Sequence, residues 1–114
     1  YGNGKQVRDL LFVTDLCRAY EQAIKKRSRL RGEIINIGGG PKNTLSLLEF
    51  LPILERSQGK NIEVSFSKGR AGDQPIFISD IRKARKLLNW QPTVTTPEGI
   101  KILSEWVKQS VKKF

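Results

Sequence analysis

Histidine and methionine are missing from this sequence, and cysteine occurs once. Without His, and with Cys17 alone, the chain has neither the usual zinc-ligand sets nor a Ser-His or Cys-His dyad. A single cysteine forms no internal disulfide. Together with the lack of a signal-type segment, this leads us to expect a reducing, cytoplasmic location. Cys17 falls in an amphipathic helical stretch, where it reads as a small buried hydrophobe rather than a nucleophile. No apolar run approaches the ~20 residues that a helix needs to cross a bilayer, so no membrane partner is expected. The missing Met and the opening turn Tyr1-Gly2-Asn3-Gly4 suggest that the 114 residues are a piece of something longer.

What is abundant is positive charge. Lys and Arg number 21 against 11 acids, a net charge of +10, and a pI near 10 can mark a nucleic-acid binder. The bases are dispersed, however, over Lys25 to Arg31, over Arg82 to Lys86, and over Lys108, Lys112 and Lys113. Aromatic residues do not alternate with them as a single-strand stacking platform requires. Solvated helix faces account for most of this charge. A basic nucleic-acid-binding or adaptor module is therefore the weaker alternative, and an anionic small ligand stays open.

Apolar periodicity and punctuation give an α/β reading with about four helices and short strands. A strand is expected over Val7 to Val13. A helix capped by Thr14 or Asp15 follows to about Lys26, with Leu16, Ala19, Tyr20 and Ala23 on one face. Glu33 to Ile37 reads as a strand broken by Gly38-Gly39-Gly40-Pro41. Ser46 with Glu49 is a capping box that opens a helix from Leu47 to about Ser57, which Pro52 should kink. Ile62 to Phe66 alternates like a half-buried strand, and a polar loop from Lys68 to Gln74 leads to Pro75-Ile76-Phe77-Ile78. Ser79 or Asp80 caps a helix to about Leu88, and Trp90 anchors the next turn. Thr96 as cap and Pro97 as first helical residue open the last helix. Its Ile100, Leu103, Trp106, Val107 and Val111 form a stripe expected to face the core.

The three glycines lack the G-x-G-x-x-G spacing of a dinucleotide-binding turn and do not open a helix directly. They read instead as a loop pressed against another backbone, and no NAD site is expected in this chain. Two arginines are better candidates for chemistry. Arg8 starts a strand, and Arg70 lies in a loop between Gly69 and Gly72, which would let a ligand approach the backbone. Arg presents a planar fork of donors that suits phosphate oxygens, and Asp73 could hold it in place. By spacing alone the signal is weak, and a surface Arg-Asp pair of negligible worth is the better reading.

Ordered motifs change that balance. Arg8-Asp9 with Val13 and Asp15 resembles the R-D-x-x-x-V-x-D segment of extended short-chain dehydrogenase/reductases that act on nucleotide sugars. Asn36-Ile37-Gly38 resembles the N-x-G strand end of that family. Arg70-Ala71-Gly72-Asp73, Asp80, Lys83-Ala84 and Trp90-Gln91-Pro92 resemble its C-terminal block. Within the family, Tyr1 to Asp9, Gly38 to Thr44 and Gly72-Asp73-Gln74 most resemble the CDP-paratose (CDP-tyvelose) 2-epimerase branch.

The resemblance implies the substrate-binding portion of a Rossmann-type enzyme, spanning residues 1–114. In such enzymes a preceding domain binds NAD, and a Tyr-x-x-x-Lys pair with a Ser or Thr carries the proton and hydride chemistry. Here Arg8 and Arg70 are implied to contact the diphosphate of a nucleotide-sugar substrate. Asp73 would lie near the ribose or support Arg70. Tyr1 and Lys5 have the pair's spacing but lie in a glycine turn beside Arg8, so no catalytic residue is assigned. The implied activity of the full-length protein is epimerisation, with 4-epimerases and 4,6-dehydratases as alternatives. A homodimer is expected for the full-length protein, and the chain alone should be inactive.

Overall fold

The computed structural model describes residues 2–111, without the side chain of Val111. Tyr1, Lys112 and Lys113 lie outside the described residues, and so does the Tyr1–Lys5 pair as a pair. The elements run β1 (Val7–Asp9), α1 (Val13–Lys25), α2 (Arg27–Leu30), a 3₁₀ turn (Pro41–Asn43), β2 (Thr44–Ser46), α3 (Leu47–Gln58), β3 (Ile76–Phe77), α4 (Arg82–Leu88) and α5 (Thr96–Val111). The α/β expectation holds, with α2 a single added turn.

β1 is the middle strand of three. It pairs antiparallel with β2, Arg8 opposite Leu45, and parallel with β3, Val7 beside Ile76. The expected strand to Val13 is assigned only to Asp9; Leu10 N still donates to Asn43 O at 2.9 Å, in register with the β1–β2 ladder, before the partner chain turns at Pro41–Asn43 and α1 begins at Val13. The stretches 33–37 and 62–66 are not strands, since among the described residues neither has a partner in the sheet. A strand needs a neighbour's N–H and C=O groups as much as its own side chains.

The core gathers Ala19 of α1, Ile81, Ala84 and Leu88 around α4, and Trp90, with Leu11, Ala23, Ile35 and Ile37 packed against it. Asp15, Ala19 and Ala23 recur every four residues, which places them on one face of α1. The small side chain of Ala19 packs in the cluster that joins α1 to Ala84 and Leu88 of α4. Tyr20, expected on that face, is exposed instead. Cys17, expected to be buried, is also exposed. It lies with Val13, Tyr20 and Ile24 on a second apolar stripe that no described element covers. Of the stripe expected to face inward on α5, Ile100 is buried, whereas Leu103, Trp106 and Val107 are exposed. Ser104 of α5 is also buried and meets α3, its Oγ 3.2 Å from Ser57 Oγ.

Three caps differ from expectation. Phe12, not Thr14 or Asp15, precedes α1, and it makes no side-chain cap. Asp80 does cap α4 from outside, accepting Arg82 N at 3.0 Å, although the helix proper follows Ile81. At α5 the cap shifts back one residue. Thr95 Oγ1 accepts Glu98 N, which frees Thr96 Oγ1 to donate to Asn43 O. The capping box of α3 forms as read: Glu49 N donates to Ser46 Oγ, and Ser46 N donates to Glu49 Oε2 at 2.7 Å. α3 runs helical through Pro52.

The glycine run is filled by protein. All three glycines are buried, and a Cβ on Gly39 would fall on the backbone of Leu10. Asp9, on the opposite face of β1 from Arg8, accepts Gly40 N at 2.9 Å and fixes this loop.

Candidate functional site

Alternation along the extended chain sends every second side chain to one face. On this principle Gln6, Arg8 and Leu10 point the same way, and so does Leu45 in register with Arg8. These four, with Ser46, Leu47 and Phe50 at the start of α3, line a cavity of about 480 Å³. Arg70 and Asp73 complete its wall. The cavity is thus apolar on the β2–α3 side and polar along β1 and the 67–74 loop.

The loop is tied at both stems, where Gly2 N donates to Ser67 O and Val7 N donates to Pro75 O, each at 2.9 Å. At its tip Asp73 N donates to Arg70 O at 3.3 Å. Gly72 occupies the positive-φ position that such a turn requires, at +79°. Gly72 therefore shapes the turn, a role different from the bare ligand approach expected of it. The turn carries Arg70 and Asp73 to the same cavity as Arg8, so the three residues singled out in the sequence share one wall.

Asp73 meets β1 rather than its neighbour alone. Arg8 Nη2 lies 3.4 Å from Asp73 Oδ1, and Gln6 Nε2 donates to Asp73 Oδ2 at 3.3 Å. Arg8 Nη1 also donates to the Val7 carbonyl at 2.8 Å, which steadies the guanidinium. The Arg8–Asp73 pair is long and more than one-third exposed on both sides. Such a pair is worth at most about 1 kcal/mol. Arg8 can therefore exchange it for a stronger anionic partner.

A helix N-terminus can itself hold an anion, and α3 begins at this cavity. Three of its N–H donors are already engaged, however. Ser46 N and Glu49 N serve the capping box, and Leu48 N donates to Gly4 O at 3.1 Å. The capping bonds from Ser46 backbone and side chain hold the Glu49 carboxyl below its ordinary range. Arg8 and Arg70 are the cationic side chains that line this cavity.

Gln6, Leu45, Leu47 and Phe50 escaped the sequence reading. Gln6 was accessible to it, two residues before Arg8 on an extended segment. Leu45 was not, because β2 is one short ladder after a 3₁₀ turn. A second, larger hollow of about 700 Å³ is lined by Lys42, Arg82, Arg85 and the 91–95 segment. Arg82 there is spent on Asp80, with Nη2 2.6 Å from Oδ2.

The chain resembles known proteins over nearly its whole length. Residues 1–103 match the family described as GDP-mannose 4,6 dehydratase. The CDP-paratose 2-epimerase of Salmonella typhi is 39% identical over 107 residues, covering 92% of this chain and 31% of that protein. The UDP-glucuronate 4-epimerase of Thermodesulfobacterium geofontis is 37% identical over 112 residues, covering 98% and 33%. Among solved structures, UDP-glucuronic acid 4-epimerase from Bacillus cereus, in complex with UDP-glucuronic acid and NAD, superposes with a TM-score of 0.87. It has 34% identity over 96% of this chain and 34% of its own. The chain spans about a third of the length of these relatives. By this match, and by the ordered motifs around Arg8, Arg70 and Trp90, the chain belongs to the GDP-mannose 4,6 dehydratase family of extended short-chain dehydrogenase/reductases, among nucleotide-sugar epimerases and dehydratases.

Proposed function

We propose that this chain is the substrate-side part of an NAD-dependent nucleotide-sugar epimerase, and that Arg8 and Arg70 hold the diphosphate of its substrate. The observation that carries this reading is the cavity of about 480 Å³ shared by Arg8, Arg70 and Asp73, residues remote in sequence. Two guanidinium forks opposite an apolar wall suit a ligand with a charged diphosphate and a flat, less polar end. Asp73 keeps the two like charges from facing each other unopposed before the ligand arrives.

The glycine run Gly38 to Gly40 does not fit the pyrophosphate of NAD. The one glycine run is closed by Leu10, Ser79 and Ile81, which leaves no cradle for a pyrophosphate. The cofactor, and the oxidation and reduction of the sugar, belong to the portion of the relatives that this chain does not span. What this chain supplies is positioning. Contacts at the diphosphate, remote from the reacting carbon, fix the sugar ring and contribute binding energy to the rate.

The bare stripe of Val13, Cys17, Tyr20 and Ile24 and the exposed Ile34 agree with a partner domain packed on α1 and on the 33–37 stretch. The lone cysteine accords with a cytoplasmic enzyme.

The finer proposal is a CDP-sugar inverted at C2, supported by the identity to the Salmonella typhi epimerase. The test is to incubate the full-length protein and NAD with CDP-, UDP- and dTDP-sugars and follow products by NMR. Interconversion of a CDP-sugar and its C2 epimer, with no net reduction of NAD, is expected. Inversion at C4 of a UDP-sugar, or loss of water from a dTDP-sugar, would move the protein to another branch of the family.

A further inference from the structure

The geometry points to Gln6 as a positioning residue that latches the 67–74 loop over the cavity by holding Asp73; this rests on the diphosphate site proposed above. Asp73 sits at the end of the turn that begins at Arg70, so whatever fixes its carboxylate also fixes the approach of Arg70. Its two oxygens are divided between two β1-side partners, Arg8 on Oδ1 and Gln6 on Oδ2. When a phosphate takes Arg8 away, Gln6 is the partner that keeps Asp73, and with it the turn, in place. A neutral amide suits this role because it does not compete with Arg8 or Arg70 for the anion.

The neighbouring backbone is shaped around this amide. Gly2 has φ of +71°, and a Cβ there would fall on Gln6 Nε2. The same glycine donates its N–H to Ser67 O at the stem of the loop. One turn thus both anchors the loop and leaves room for the side chain that latches its tip.

The test is a double-mutant cycle in the full-length enzyme, with CDP affinity read by calorimetric titration. Gln6→Leu is expected to weaken binding roughly three- to tenfold, the fold-change of one net hydrogen bond. Gln6→Asn, one methylene too short to reach Asp73, should lose as much and serves if the leucine variant does not fold. In an Asp73→Ala background neither change should weaken binding further. With the nucleotide-sugar substrate the loss should fall on KM, with kcat at saturation within about twofold. Unchanged affinity in both Gln6 variants would overturn the latch. So would additive losses in the Asp73→Ala background, which would mean that Gln6 acts without Asp73, or a fall in kcat with KM held. The Arg8→Ala and Arg70→Ala variants separate this from the underlying site. If they lose affinity while the Gln6 variants keep it, the latch fails and the diphosphate reading stands.

Discussion

Trp90 donates its indole N–H to the backbone carbonyl of Asp15 at 2.9 Å, joining α1 to a turn 75 residues further along the chain. The Asp15 carboxylate completes the junction. It accepts from Thr93 N and Val94 N at 3.0 Å, from Thr93 Oγ1 at 2.9 Å and from Arg18 Nη2 at 2.6 Å. Both Asp15 and Trp90 are buried. A buried carboxylate with this many donors is the polar centre of the fold, and the α5 helix that follows is positioned from it.

Replacing that carboxylate should be costly. Asp15→Asn turns one acceptor oxygen into a donor that faces other donors. A loss of about 2–3 kcal/mol is expected, within the range for hydrogen bonds to a charged group. The midpoint of urea unfolding measures it. A variant as stable as the parent would show that the junction holds by packing alone.

Acid should remove the same stabilisation. Burial raises the pKa of Asp15, but the bonds from Val94, Thr93 and Arg18 outweigh it and leave the carboxyl below its ordinary 3.8. A group whose folded pKa is depressed contributes stability that is present above its unfolded pKa and lost as pH falls through the folded one. The contribution should thus be complete at pH 7 and fade from about 3.8 downward. Stability curves of the parent and Asp15→Asn should converge in that window. Parallel curves down to pH 2 would contradict the assignment.

Gly39 is expected to tolerate no side chain. Its Cβ would meet the Leu10 backbone, which cannot rotate aside as a side-chain tip can. Gly39→Ala should destabilise by about 1–3 kcal/mol or more, the cost of forcing atoms into a filled interior. Thermal melting checks this. An unchanged Tm would mean that the 38–40 loop stands off from β1.

The outer stripe of α1 yields a prediction about surface. Val13, Tyr20 and Ile24 are each at least 60% exposed, and such a stripe usually has a partner. The 114-residue chain alone should bind an apolar dye or self-associate, and the full-length protein should do neither at this face. Hydrogen–deuterium exchange across residues 13–25 in both forms makes the comparison. Equal protection in the two would leave the stripe without a covering domain.

Local signals carried the sequence reading well, and distant ones did not. Ser46 and Glu49 cap α3 because both partners lie within one turn. Asn89 takes the left-handed conformation at the end of α4 (φ 52°), a position its short polar side chain tolerates. Asp15 reads as a local cap, whereas apart from Arg18 the partners of its carboxylate are 78 and 79 residues away. The stretches 33–37 and 62–66 have strand-like side chains but no adjoining strand. Leu103, Trp106 and Val107 have the helical period of a core face but lie at the surface. At the candidate cavity, Arg8, Arg70 and Asp73, which type and motif single out in the sequence, line one wall. The apolar wall of Leu45, Leu47 and Phe50 was not legible, because it depends on how β2 docks beside β1.

The central claim is that Arg8 and Arg70 grip one diphosphate, and calorimetric titration of the full-length protein with CDP tests it most directly. Arg8→Ala and Arg70→Ala should each weaken binding by roughly 1.5–3 kcal/mol, the range for hydrogen bonds to charged groups. Arg70→Lys should recover only part, because a point charge does not reproduce the fork. Affinity for CDP unchanged in both alanine variants would contradict the account and remove the diphosphate from this cavity.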